Sequence, residues 1–169
     1  MSTPSIPLCN RATLTVEDEY MLAIQQKVLK QVSFTDAAQE TGIHADILRM
    51  LVRDGILPGL IPEWPTAAGS CDLEKAQAIA DDLNAARQPV EGQGILVTEA
   101  NQKYGFSSRT IYNWFRSGWV SVVGGGNQRN RLFNEGDIAF ARALADLRGH
   151  VMGKSVFPAK PRSGRPRKK

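Results

Sequence analysis

The chain carries little with which to do chemistry or cross a membrane. Among 169 residues it has two cysteines, Cys9 and Cys71, and two histidines. No CxxC pair and no nearby His cluster accompanies the cysteines. Free thiols are therefore expected, and neither a disulfide framework nor a zinc site is. No Ser/His/Asp, Cys/His or paired-carboxylate arrangement stands out, so no catalysis, metal or cofactor is expected. No apolar run reaches the ~18 residues a membrane span needs. The opening "MSTPSIPLCNRATLT" lacks a basic stretch followed by an apolar one, so the expected location is cytoplasmic. The triple glycine at 124–126 is not followed by GK[ST], which weighs against a nucleotide-phosphate loop.

Negative charge is also scarce, but in one half only. Residues 1–94 hold 7 Lys+Arg against 13 Asp+Glu, a balance of −6, whereas residues 95–169 hold 14 against 4, a balance of +10. The two sum to the net charge of +4. Such asymmetry points to a polyanionic partner for the second half and not for the first.

What is present, and present twice, is one segment. "TDAAQETGIHADILRMLVRDGIL" (35–57) aligns without a gap to "TEANQKYGFSSRTIYNWFRSGWV" (98–120), an offset of 63 residues. Thr35/Thr98, Ala37/Ala100, Gln39/Gln102, Gly42/Gly105, Arg53/Arg116 and Gly55/Gly118 are identical. Apolar positions match at Ile43/Phe106, Leu48/Ile111, Leu51/Trp114 and Leu57/Val120. After a slip, "DLEKAQAIA" (72–80) aligns with "DIAFARALA" (137–145). Internal duplication of this kind implies two copies of one supersecondary unit.

Each copy reads as a short helix, a turn, a longer helix, a hairpin or loop and a third helix. Thr35 and Thr98 are N-cap candidates, each followed by an acidic residue that suits the helix dipole. Gly42 and Gly105 fall where the chain must turn sharply, and Gly55 and Gly118 end the second helix. That helix is expected to begin near Ala45 or Ser108. Apolar stripes at helical spacing run through Leu73, Ala76, Ala80 and Leu83, and through Ile138, Ala141, Leu144 and Ala145. A further amphipathic helix is expected over 17–31. "RQPVEGQG" (87–94) has the composition of a linker.

In the second copy, Ile111 and Trp114 supply a buried face for the second helix, with Phe106 in the turn. Arg109, Thr110, Tyr112, Asn113 and Arg116 remain for the other face. Ser107 and Ser108 stand at the helix N-terminus, where hydroxyls and backbone N–H groups suit a phosphate. Arg and Asn can read guanine and adenine edges bidentately. A merely solvated polar face is the simpler alternative. The hairpin "WVSVVGGGNQRNRLFNE" (119–135) favours DNA, because Gln128, Arg129, Asn130 and Arg131 cluster at or beside its tip.

"VTEANQKYGFSSRTIYNWFRSGWV…NQRNRLFNEGDI" resembles the winged helix-turn-helix of MerR-type regulators and phage excisionases. The likeness covers about residues 96–146 and, more weakly, 33–83. It implies DNA contacts by Ser107 to Thr110, Tyr112, Arg129 and Arg131. Asn101 stands where such motifs carry a small apolar residue. The long dimerising helix of effector-sensing members has no counterpart, so no small-molecule effector is expected.

The first copy keeps the frame without the chemistry. "HADILRMLVRD" balances Arg49 and Arg53 against Asp46 and Asp54, and His44 suits a capping role better than a ligand's. "PGLIPEWPTAAGSC" (58–71) has no basic residue, which would forfeit the dominant electrostatic contribution to DNA affinity. Protein contact or self-association is expected instead, with Trp64 as an anchor or, equally, a cover for its own core. From Lys154, "KSVFPAKPRSGRPRKK" is rich in Pro and Lys/Arg without apolar period, and disorder is expected. Its "PRSGRPRKK" resembles an AT-hook. The resemblance assigns Gly164, Arg165 and Pro166 to the minor groove, with Arg162, Arg167, Lys168 and Lys169 nearby; Ser163 replaces the usual Arg before Gly.

The expected fold is mainly α with small β-hairpin wings, as two tandem winged helix-turn-helix-like units. Residues 1–16 form a flexible N-terminus, 17–87 the first unit, 88–94 the linker, 95–150 the second unit and 151–169 a disordered basic tail. The expected function is sequence-specific binding of double-stranded DNA, by a nucleoid-associated transcription regulator or an excisionase-like architectural factor. The alternative is an assembly adaptor of a phage packaging or DNA-partition complex, whose first unit recruits a protein. RNA binding is disfavoured, since no strand carries an evident exposed aromatic platform.

Overall fold

A computed structural model describes residues 31–62, 69–127, 130–149 and 155–159. Each copy begins with a strand too short to leave a periodic signal in the sequence. In unit one, β1 (Gln31–Ser33) leads directly into α1 (Phe34–Thr41), then α2 (Ala45–Arg53), β2 (Gly59–Leu60), β3 (Ser70–Asp72) and α3 (Leu73–Arg87). A single 3-10 turn (Gln88–Val90) precedes unit two. There β4 (Gly94–Leu96) leads into α4 (Val97–Tyr104), α5 (Ser108–Arg116), β5 (Val122–Gly124), β6 (Leu132–Asn134) and α6 (Glu135–Leu147). The fold is mainly helical with two small antiparallel sheets, ordered β1-β3-β2 and β4-β6-β5.

The strands displace the expected helix caps. Because β1 and β4 feed their helices without a loop, the cap falls on the last strand residue, and Thr35 and Thr98 lie inside the first turn. Ser33 Oγ accepts the Asp36 N–H at 3.1 Å. Leu96 has no such side chain, and its own N–H is taken by the Glu99 carboxylate at 3.2 Å. Gln31, expected to end a helix, is in β1; residues 17–30 of that helix, and Trp64, lie outside the described residues.

The turns follow the glycines. Gly42 and Gly105 have φ of +71° and +75°, the left-handed region that costs a Cβ dearly. Each returns its N–H to the preceding helix, to Ala38 O at 3.0 Å and Asn101 O at 2.9 Å. Asn101 closes the second turn further, donating from Nδ2 to Phe106 O at 2.9 Å. Its amide thus has a local use that a small apolar residue would not supply. Helices α2 and α5 start at Ala45 and Ser108, the former capped by His44 Nδ1 on the Asp46 N–H at 3.2 Å.

The third helices correspond differently from the sequence alignment. β3 pairs its Asp72 with Gln31 and β6 pairs its Asn134 with Gly94, so Asp72 answers to Asn134 and not to Asp137. The error is three residues, close to one helical turn, and a slide of one turn leaves an apolar stripe nearly in phase. Asp72 and Asn134 are both N-caps, accepting from Lys75 N at 3.2 Å and Gly136 N at 3.1 Å.

Helices α3 and α6 pack on each other, and the buried residues of both units merge into one core. Unit one contributes Phe34, Ile47, Leu48, Leu51 and Leu83, and unit two Ile111, Trp114, Phe133, Ile138 and Leu144. Residues 88–94 are stitched to the start of α6. Glu135 donates its N–H to Gln93 O at 2.8 Å, Gly92 N–H reaches Asn134 Oδ1 at 3.0 Å, and Arg87 pairs with Asp137 at 3.1 Å. Gly136 is there because the chain approaches closely: a Cβ would sit 2.9 Å from the Glu91 Cα.

The expectation of disorder from residue 151 onward is overturned for residues 155–159. Val156 and Phe157 are buried, Phe157 to 3% exposure. The Phe157 ring stacks on Trp119 (centroids 4.9 Å, 4° apart) and meets Trp114 edge-on at 5.2 Å. Arg148 holds the segment by donating to the Ser155 and Val156 carbonyls, and its Nε reaches Asp54 Oδ2 of unit one at 2.6 Å. The high Pro and Lys/Arg content of the tail concealed two core residues.

Candidate nucleic-acid interface

Helix α5 is fixed by what it buries. Ile111 and Trp114 point into the core, and Phe106, in the preceding turn, packs edge-on against Trp114 at 4.7 Å. The opposite face is left to Arg109, Asn113 and Arg116, all exposed, at spacings of four and three that align them along one side. No carboxylate occurs on α5, and neither Arg109 nor Arg116 forms an ion pair among the described residues. The charge of this face is uncompensated locally.

Two of the expected polar residues are drawn inward. Tyr112 is half-buried, its ring meeting Phe133 edge-on at 5.4 Å. Thr110 is half-buried and its hydroxyl lies 2.8 Å from that of Ser107. Ser107 itself is the N-cap, accepting the Thr110 N–H at 3.2 Å. Its hydroxyl is thus occupied, whereas Ser108 is exposed at the first helical position.

The hairpin stands beside this helix. β5 and β6 pair antiparallel, Val122 opposite Phe133 and Gly124 opposite Leu132. At the turn, Gly125 has φ +94° and the Asn130 N–H is taken by Asn127 Oδ1 at 3.1 Å. Asn130 is exposed. Arg131 comes back toward the helix, its guanidinium 4.6 Å over the Phe115 ring. Gln128 and Arg129 lie outside the described residues, as do Arg162, Gly164, Arg165, Pro166, Arg167, Lys168 and Lys169. The stretch "WVSVVGGGNQRNRLFNE" had suggested the hairpin but not the role of Phe115, which alternation and charge do not reveal.

Lys103 is basic and close by in sequence, but its charge is spent. Nζ pairs with Glu135 Oε1 at 2.6 Å, and Tyr104 OH donates to the same oxygen at 2.8 Å. Burial works against the Glu135 charge. The hydrogen bonds from Lys103 and Tyr104, with the Lys103 charge, outweigh it and hold the carboxyl below its usual range. The same hydrogen bond raises Lys103, and burial followed by the bond to Glu135 raises Tyr104. In unit one the position of Glu135 is held by Leu73, so this clamp between α4 and α6 belongs to unit two alone.

The corresponding face of unit one is only partly cationic, because most of its charges are paired. Arg49 pairs with Asp46 at 2.6 Å and lies 5.3 Å over Phe34. Asp54 is taken by Arg148, so the expected balance with Arg53 is not made; Arg53 is exposed and without an ion pair among the described residues. Where unit two carries Arg131, unit one carries Gly69, and a Cβ there would meet the Phe34 ring and lie 2.8 Å from Leu60 O. Unit one has no room for a side chain at that point.

These features amount to a mainly helical protein in which one structural plan occurs twice, with one copy presenting an uncompensated cationic face. Comparison with protein-family models, curated proteins and solved structures finds no match for the chain. Among the described residues no helix is long and apolar enough to cross a membrane, and no group of His, Cys, Asp or Glu is placed to hold a metal.

Proposed function

We propose that the protein binds double-stranded DNA sequence-specifically through a winged helix-turn-helix in unit two, as a transcription regulator or excisionase-like architectural factor. The supporting observation is the exposed row Arg109, Asn113 and Arg116 on α5, free of carboxylates and flanked by a hairpin bearing Arg131. In this reading α5 enters the major groove, where Arg and Asn contact base edges, and the hairpin grips the backbone. Residues 160–169 add phosphate or minor-groove contacts. Unit one supplies a protein contact, for which Leu60 on β2, 62% exposed, is an available apolar residue. An adaptor whose unit one recruits an assembly partner is the second reading, favoured by the paired charges of α2.

The test is affinity for duplex DNA by fluorescence anisotropy over a range of salt. Arg109→Ala with Asn113→Ala is expected to erase sequence preference while leaving non-specific affinity in place. Unchanged preference would remove α5 from the groove. Deleting 160–169 is expected to flatten the salt dependence. The deletion must stop short of Phe157, because loss of that ring would disturb the core itself.

A further inference from the structure

An arginine on a hairpin ordinarily samples many rotamers, and the entropy of fixing it weakens any contact it makes. Arg131 is an exception. Its guanidinium lies 4.6 Å over the ring of Phe115, a residue of α5 next to the exposed Arg116. Phe115 is itself held from behind, edge-on to Phe133 at 5.9 Å, and Phe133 is fully buried in the central strand β6. Tyr112, one turn earlier on α5, meets the same Phe133 ring at 5.4 Å. The core thus supports an aromatic shelf, and the shelf supports a cation. A guanidinium held by its face keeps its in-plane N–H fork for a partner, which an ammonium could not do.

Unit one shows that the arrangement is not a by-product of the fold. The position of Phe115 is held there by Val52 and that of Arg131 by Gly69, where no Cβ fits. The shelf and its cation occur together in unit two and are both missing from unit one.

From this we infer that Phe115 is a positioning residue for Arg131, and that Arg131 is a pre-set clamp for one nucleic-acid phosphate beside the α5 face. The inference rests on the DNA reading above and deepens it: helix and hairpin engage the duplex as one rigid surface. Neither residue needs to order itself on binding, so the helix and hairpin contributions are coupled.

The full-length chain and the variants Arg131→Gln, Phe115→Leu and the double variant are compared for affinity to random and selected duplexes across salt. Arg131→Gln is expected to weaken binding about tenfold on all sequences and to lower the slope of log K against log salt by about one. Phe115→Leu is expected to weaken binding by a few-fold. In that background Arg131→Gln should cost markedly less than it does alone. Phe115→Tyr, which keeps the ring, restores the coupling and guards against a folding defect in the Leu variant. A second readout needs no DNA: the Arg131 Nε–H resonance should show a ring-current shift that Phe115→Leu abolishes and Phe115→Tyr keeps. Additive effects of the two substitutions, with wild-type binding intact, overturn the inference and leave the DNA reading standing. A loss confined to particular sequences makes Arg131 a base reader and overturns the phosphate assignment. No salt-dependent binding by the wild-type chain overturns both.

Discussion

Units one and two share a plan down to the strand order and differ in what they do with charge. In unit one each carboxylate near α2 has a cationic partner, Asp46 with Arg49 and Asp54 with Arg148. In unit two Glu135 and Asp137, at the start of α6, are tied to Lys103, Tyr104, Arg87 and Ser121, while Glu99 takes the Leu96 N–H and Asp146 pairs with Arg142. The acidic residues of unit two thus have partners away from α5, while Arg109 and Arg116 form no ion pair among the described residues. One frame can carry a largely paired surface or a cationic one, according to where a few side chains find partners.

The comparison breaks most severely if the aromatic packing of unit two is emptied at Phe157, whose ring meets Trp114, Trp119 and Phe140. Phe157→Ala should destabilise the protein by about 3–5 kcal/mol, the usual cost of emptying a buried phenylalanine site. Because the core is shared, both units should lose structure together in urea, as followed by circular dichroism and tryptophan fluorescence. Independent melting of unit one would show that the merged core is not one cooperative unit.

A smaller effect is expected at the start of α6. Glu74 and Gly136 occupy corresponding helical positions, the first exposed and the second buried against Glu91. Gly136→Ala gains up to ~1 kcal/mol in helix propensity. It must nevertheless push backbone apart, and a net loss of about 1–3 kcal/mol is expected in thermal or chemical denaturation. Glu74→Ala, where a Cβ is already accommodated, should cost less than Gly136→Ala. Equal responses would mean that residues 88–94 give way easily.

The smallest effect is one of pH. The folded Glu135 carboxyl titrates below its unfolded range, so its contribution is full above about pH 4.3 and is lost as pH falls through the lower folded value. Lys103 and Tyr104 are shifted upward, so their contributions hold below about pH 10 and are lost as pH rises beyond it. Glu135→Gln should flatten both limbs of the stability profile measured by urea titration. Leu73→Ala, at the matching position of unit one, should lower stability without changing the shape of that profile.

Much of this was legible in the sequence, for reasons that differ by element. The paired glycines at 42 and 105 and at 55 and 118 exposed the duplication, since positive φ leaves few alternatives to glycine. Leu48, Leu51, Ile111 and Trp114 were identifiable as core because helical spacing places them on one side. β1 and β4 were not, because three residues are too few to show alternation. The correspondence of α3 with α6 slipped by one turn because a stripe of alanines is nearly invariant to such a shift. Tyr112 was expected outside and is half inside, because polarity alone does not say that a ring will find Phe133. Phe115 was passed over because a shelf for a cation needs two segments brought together in space. Val156 and Phe157 were masked by their neighbours, whose composition argues for disorder.

The clasp of Arg148 on Asp54 spans 94 residues of chain. During synthesis, unit one emerges first, and its side of the shared core stays uncovered until unit two exists. It remains without its aspartate's partner until α6 has been made, and the Trp119 slot stays open until Phe157 leaves the ribosome. Arg148, just past α6, and the few residues beyond it therefore close contacts that both units leave open. Chains interrupted shortly before that point would leave Trp114 and Trp119 without the ring that packs on them.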